Sequence, residues 1–453
     1  MDTSFFNDLL STIVDRGRAI VERGRDKRPS GGNLAGLAEE LLSGRGEATG
    51  VAIARDLLDS YAELDSAGRT AFFRALATNF GTDPEAVQAA ATAYLEDPTD
   101  ANGLRLHAAS EPRRQELIRR LNRAPGGTAA LVAMRQDLLE RLRDHPDFRP
   151  VDNDFAHLLA SWFNRGFLVL RRIDWSMPAA ILEKIIRYEA VHEINGWEDL
   201  RRRIDPPDRR LYAFFHPALI DEPLIFVEVA LTNGIPEAIG PILGETRDPI
   251  DPEHATTAVF YSISNCQTGL KGISFGNFLI KQVVEELART FPSLKTFVTL
   301  SPAPAFRAWI DRQEADGESH VLRDGDREVL ELLETPDWIE DPRIVERARP
   351  VLLRLAAQYY LAAKTDRGTP PDPVARFHLG NGARLEQLDF LGDPSRKGLA
   401  ESYGLMVNYL YDPKLIERHH EAYANKGEIA ASGAVRRFAK GTAEAPAMVV
   451  AVA

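Results

Sequence analysis

Ala258-Val-Phe-Tyr-Ser-Ile-Ser264, Gly269-Leu-Lys-Gly-Ile-Ser-Phe-Gly276 and Thr296-Phe-Val-Thr-Leu300, the last running into Ser301-Pro-Ala-Pro304, all lie between Thr257 and Trp309. The first and third are short apolar runs rich in β-branched and aromatic residues, which suits buried strands. Between them, from Asn277 to Phe291, Ile280, Val283, Val284 and Leu287 recur at helical spacing and give one apolar face. The order is therefore strand, glycine loop, helix, strand, turn. Glycines between a strand and a helix start let backbone N–H groups approach an anion, and the helix N-terminus adds partial positive charge. No Gly-Lys-Ser/Thr follows, so the loop is not a phosphate loop of the nucleotide-hydrolase type, and the glycine spacing does not fit the dinucleotide fingerprint.

Composition sets outer limits. A chain of 453 residues has room for two to four domains, with hydrophobic and charged shares (44% and 27%) ordinary for a globular protein. The net charge of -12 argues against a general nucleic-acid binder, so an anionic ligand needs a local basic or amide-lined site. The single cysteine, Cys266, rules out an intrachain disulfide and points to a reducing compartment; it reads as a small buried residue rather than a nucleophile. No run is long and apolar enough to span a bilayer, and the start lacks the features of a secretory signal, so no membrane association and a cytoplasmic location are expected.

Outward from the central stretch, residues 1–152 read as helical throughout. Amphipathic segments at Leu34–Leu42, Val51–Leu64, Arg69–Asn79, Pro84–Leu95, Glu111–Leu121 and Ala129–Leu142 are joined by short turns, the pattern of an antiparallel bundle. A bundle without a chemical motif is assigned to assembly. The arginines Arg16, Arg18, Arg23 and Arg25 read as a solvated helix face. Residues 153–453 form the second domain, in which strands dominate after Leu211: Leu211–Pro217, Pro223–Thr232, Thr257–Ser264 and Phe297–Leu300. A helical insertion at about 312–373 precedes further strands at Ala383–Leu391 and Ser402–Tyr411. The fold class is α+β.

Several side chains stand out. Ser301 ends a strand before Pro302; it suits a helix N-cap, and a serine in that place can also face a pocket. His378 precedes Gly380-Asn-Gly382, which suggests a tight turn, and reads equally as a satisfied core histidine. Glu228, inside an apolar run, is either buried and paired or on a solvent-facing pleat. His216 reads as a turn histidine, and the arginines of 201–210 as an exposed charged turn. No serine-hydrolase elbow and no metal-ligand spacing is present.

The loop also resembles the acyl-CoA loop of acetyltransferase-like folds, Gln/Arg-x-x-Gly-x-Gly/Ala, with Lys271 and Ser274 departing from that pattern. His216-Pro-Ala-Leu219, Phe260-Tyr-Ser-Ile-Ser264, Gly276-Asn-Phe-Leu-Ile-Lys281, Leu300-Ser-Pro-Ala-Pro-Ala-Phe306, Phe377-His-Leu-Gly-Asn-Gly-Ala383 and Gly404-Leu-Met-Val-Asn-Tyr409 together resemble the malonyl-CoA decarboxylase family, in family order over residues 211–412. The resemblance implies a helical oligomerisation domain ahead of an acetyltransferase-like (GNAT-like) mixed-sheet acyl-CoA domain. It implies conversion of malonyl-CoA to acetyl-CoA and CO2 by a carboxy-lyase, and a homo-oligomer, dimer or tetramer. The family's catalytic Ser and His fall on Ser301 and His378. Its malonyl-CoA loop falls on Lys271, Gly272, Ile273, Ser274, Phe275, Gly276 and Asn277. No cofactor is called for, because the thioester is itself the electron sink. The alternative on the same fold is an acyl-CoA-dependent N-acyltransferase. Malonyl-CoA turned over without an amine acceptor separates the two.

Overall fold

A computed structural model describes residues 34–44, 46–273, 279–317 and 319–440, the Arg165 side chain aside. The chain divides into two compact units. Among the described residues no helix is long and apolar enough to cross a membrane. Arg16, Arg18, Arg23 and Arg25, and the binding-loop residues Ser274, Phe275, Gly276 and Asn277, lie outside the described residues.

The first unit is helical. Leu34–Leu42, Glu47–Ala62, Ser66–Asn79, Pro84–Glu96, Arg113–Leu121, Gly127–Arg141 and Arg149–Trp162 are helices, as the apolar spacing predicts, for the last of them over Phe155–Phe163. Its core is built of Ile53, Leu57, Phe73, Leu117, Leu131, Leu138 and Phe155. Asp83 accepts from Glu85 N and Ala86 N ahead of Pro84, the capped start that Asp-Pro-Glu announces. A further helix, Asp100–Ser110, was not legible: none of its residues is buried, so it has no apolar stripe to detect. The same unit takes in Phe215–Glu222 and residues 267–273.

The second unit is built on a mixed sheet. Its strands are β1 (Val169–Ile173), β2 (Arg209–Phe215), β3 (Pro223–Thr232), β4 (Thr257–Asn265), β5 (Thr296–Thr299), β6 (Ser301–Pro302), β7 (Arg384–Asp389) and β8 (Met406–Leu410). They run in the order β1-β2-β3-β4-β5-β8-β6, with β7 paired to β8. β3 and β4 are antiparallel along their length. β4 and β5 are parallel, from Thr257↔Thr296 to Phe260↔Thr299. The parallel pair is joined by the Leu279–Thr290 helix, which buries Ile280, Val283, Val284 and Leu287. The α+β expectation thus holds: helices first, then a mixed sheet.

The turn expected after His378 is present at Asn381-Gly382, where Gly382 has φ +81°; His378 itself lies in the last turn of a helix, Pro373–Gly380, which Asp372 caps by accepting from Ala375 N at 2.8 Å. Two readings of this unit are corrected. Ser301 is not a helix cap: with Pro302 it forms β6 and pairs with β8, and the next helix starts only at Phe306. Nor are the 201–210 arginines an exposed cluster: Arg203, Arg209 and Arg210 are buried. Arg203 pairs with Glu228 at 3.2 Å and also donates to the carbonyls of His192 and Glu193. Glu228 is fully buried. Burial drives its carboxyl up to about 7, against the opposing pull of Arg203. Of the two readings of Glu228, the buried and paired one is correct.

Candidate active site

The site begins where two parallel strands part. Leu300 N still donates to Phe260 O at 3.0 Å. Beyond that bond β4 continues beside β3 to Asn265, while β6 turns to pair Ser301 with Val407 and Pro302 with Met406. The divergence opens a cavity of about 250 Å³. Phe260 and Ser262 of β4, Ser301 of β6, and Val374, Phe377 and His378 of the Pro373–Gly380 helix line it. Val259, Tyr261, Val298, Leu300 and Met406 pack as one buried cluster and hold the diverging strands.

At the fork a chain of buried hydroxyls meets one imidazole. Ser301 Oγ lies 3.2 Å from His378 Nε2 and 2.9 Å from Thr299 Oγ1. Thr299 Oγ1 also accepts from Tyr409 N at 3.3 Å. His378 Nδ1 lies 2.8 Å from the Tyr411 hydroxyl, and its ring stacks on Tyr409 at 4.6 Å. Burial alone lowers the His378 pKa to about 3, so the ring is neutral at pH 7. Burial also raises Tyr411 well above the usual phenol range, which keeps its hydroxyl protonated. With the Ser301 hydroxyl donated to Thr299, Nε2–H donates to Ser301 and Nδ1 accepts from Tyr411.

The sequence reading named Ser301 and His378, and the structure brings them together. It did not name Thr299, Tyr409 or Tyr411. Tyr409 and Tyr411 alternate in Asn-Tyr-Leu-Tyr, a period-two signal of one strand face, but their partners lie on other elements. His216 is a turn histidine, as read: Nδ1 accepts from Ala218 N and Nε2 lies 3.1 Å from Trp162 O.

Lys271, Gly272 and Ile273 belong to the helical unit. Arg135 donates to the carbonyls of Gly269 and Lys271 at 2.8 and 2.9 Å, which fixes the loop on the Gly127–Arg141 helix. Gly269 is required there, since a Cβ would meet Val132 O at 1.9 Å. Gly272 has φ +81°, a left-handed conformation that glycine adopts without strain. Lys271 N and Ile273 N already donate to Thr268 O and Leu270 O within this turn.

Residues 166–448 match the model of the malonyl-CoA decarboxylase C-terminal domain, and residues 80–163 that of the malonyl-CoA decarboxylase N-terminal domain. The mitochondrial malonyl-CoA decarboxylase of Anser anser anser is 38% identical over 354 residues, 72% of this chain and 69% of that one. The crystal structure of malonyl-CoA decarboxylase from Rhodopseudomonas palustris superposes with a TM-score of 0.87 at 58% identity, covering 90% of this chain and 100% of that one. That of the enzyme from Cupriavidus metallidurans gives 0.70 at 36% identity over 90% and 99%. Matched along both its helical and its sheet-bearing parts, the chain belongs to the malonyl-CoA decarboxylase family.

Proposed function

We propose that this chain, a carboxy-lyase, converts malonyl-CoA to acetyl-CoA and CO2 with Ser301 and His378 as the reacting pair. The observation that carries this is the buried Ser301–His378 contact at the mouth of the diverging β4 and β6 strands. Malonyl-CoA docks its carboxylate at Ser301, whose hydroxyl turns from Thr299 to the charged acceptor, the stronger of the two. The negative charge beside Nε2 raises the His378 pKa, and the ring takes a proton from solvent. Tyr411 then accepts from Nδ1–H, as a hydroxyl can in either direction. Held perpendicular to the thioester plane, the C–C bond to the carboxylate breaks. Its electron pair passes into the thioester as an enolate, and CO2 leaves. The enolate carbon takes the Nε2 proton, which leaves His378 neutral with its remaining proton on Nδ1, donated to Tyr411. One proton is consumed per turnover. The thioester is the electron sink, so the reaction as written calls for no metal, biotin or pyridoxal.

The CoA pyrophosphate is assigned to the loop Lys271 to Asn277. Since Lys271 N and Ile273 N are engaged within the turn, the donor in this reading among the described loop residues is Gly272 N. The helical part serves assembly into a homo-oligomer, dimer or tetramer. The setting is cytoplasmic malonate and fatty acid metabolism. The test is purified protein with malonyl-CoA and no acceptor. Equal release of acetyl-CoA and CO2, abolished in folded Ser301→Ala and His378→Ala variants, is expected. No release with CoA binding intact overturns the reading in favour of acyl transfer to an amine.

A further inference from the structure

Two serines line the cavity, and their hydrogens are committed differently. The Ser301 hydroxyl rests on Thr299, a neutral hydroxyl. The Ser262 hydroxyl, on the β4 wall, donates to both carboxylate oxygens of Glu189, at 2.8 and 2.7 Å. Glu189 further accepts from Ser264 Oγ at 3.2 Å and from the amides of Val191 and His192 at 2.8 Å each. Ser264 in turn accepts from Ala190 N. The carboxylate is thus fixed by the turn after the Ala179–Tyr188 helix and by two serines of one strand face. Its charge reaches deeper too, since it adds to the upward push on the Glu228 carboxyl.

A hydrogen held by a carboxylate gains nothing by moving to another carboxylate, whereas one held by a hydroxyl does. Ser262 therefore shows the cavity lone pairs only, backed by negative charge. Ser301 can turn its hydrogen inward.

We propose that Glu189, acting through Ser262, is a specificity-determining residue that bars the malonyl carboxylate from the β4 wall and leaves the Ser301–His378 wall as its dock. This rests on the decarboxylase reading above. Productive binding of malonyl-CoA then depends on repulsion at one wall as much as on attraction at the other.

The test is Glu189→Gln, with kcat and KM for malonyl-CoA and the competitive Ki of acetyl-CoA, which lacks the carboxylate. Neutralising the wall frees Ser262 to donate and opens a second, unproductive dock. Non-productive binding lowers kcat and KM by the same factor and leaves kcat/KM unchanged. A shared fall of about tenfold or more is expected, which is ~1.4 kcal/mol of misplaced binding, with the acetyl-CoA Ki within twofold of wild type. Constants that do not move, or any fall in kcat/KM or rise in Ki, overturn the proposal. Should Glu189→Gln fail to fold, Ser262→Asn carries the test: its amide keeps one N–H on Glu189 and turns the other to the cavity, and the same paired fall is expected. Wild-type protein that releases no CO2 refutes the decarboxylase reading itself, a result separate from either variant's.

Discussion

Tyr411→Phe removes one oxygen from the far side of the His378 imidazole. In the resting site the Tyr411 hydroxyl donates to His378 Nδ1 across 2.8 Å. In the protonated ring of the proposed mechanism, the same hydroxyl accepts from Nδ1–H. Phenylalanine does neither. The ring is fully buried and stacked on Tyr409, so solvent does not replace the lost partner. Leaving a buried donor or acceptor unpaired costs about 1–3 kcal/mol, more when the group is charged. The charged state bears the larger loss, and it is reached only on the way to the transition state. A fall in kcat/KM of roughly 5- to 150-fold follows from that range. Acetyl-CoA has no carboxylate and draws no proton onto His378, so its competitive Ki should stay within twofold. The assay is steady-state release of acetyl-CoA from malonyl-CoA, with Ki measured in parallel and folding checked by circular dichroism. A kcat/KM within twofold of wild type would show that Tyr411 does not hold the ring. A Ki that rises with the loss of activity would show a collapsed pocket instead.

Other expectations follow from the same groups. Binding of a malonyl-CoA thioether analogue, which keeps the carboxylate but has no thioester carbonyl to accept the electron pair, should take up close to one proton near pH 7.5, seen by calorimetry of wild-type protein in buffers of differing ionisation enthalpy; acetyl-CoA should take up none, and equal uptake by both would refute the coupling. Burial lowers His378 to about 3 in the folded chain, against about 6.5 unfolded. The unfolded state therefore binds more protons between those values, and stability is lost as pH falls below about 6.5. The unfolding free energy of wild type, relative to His378→Gln, should drop by about 2 kcal/mol from pH 7 to pH 5, measured by urea titration; a constant difference would contradict the buried neutral ring. Arg203→Met takes the shared cation from buried Glu228 and Asp199 and the donor from two carbonyls, so a loss of about 3–5 kcal/mol is expected by denaturant unfolding, and Glu228→Leu in the same chain should recover only the part that falls on Glu228.

What the sequence revealed depended on the reach of each signal. β3, β4, β5 and the Leu279–Thr290 helix were legible because their burial writes itself into consecutive residues: Pro223 to Leu231 is buried without a break. Ile344–Ala348 and Val351–Ala363 read as separate helical stretches around Pro350, which removes a donor in mid-run; one helix, Pro342–Leu361, continues since its buried face, Val345 to Tyr360, outweighs that loss. Asp366–Pro373 reads as a stiff loop, yet Asp372-Pro373 at its end starts the Pro373–Gly380 helix. Arg203 and Glu228 were misjudged or left open because each looks unpaired until β3 and the Trp197–Ile204 helix are packed together. Thr299 and Tyr411 could not be linked from sequence. Thr299 behind Ser301 and Tyr411 behind His378 come into one chain of bonds only because β5 pairs with β8, more than a hundred residues downstream.

The histidine poses a physical problem whose answer explains the site's construction. A ring that titrates near 3 is a poor proton store at pH 7. Yet the same burial makes its protonated form, once created, a strong acid. In this mechanism the substrate supplies the condition for protonation: only a carboxylate at Ser301 compensates the imidazolium. Breaking the C–C bond moves that negative charge from the departing CO2 to the enolate carbon. The two charges then face each other in a small dry cavity, and proton transfer removes both at once. A solvent-exposed histidine of ordinary pKa would hold its proton with or without substrate and release it with less driving force. In this mechanism the strand divergence, the Asp372-capped helix, Tyr409 and Tyr411 act together. They keep His378 too dry to be charged until malonyl-CoA brings the charge that balances it.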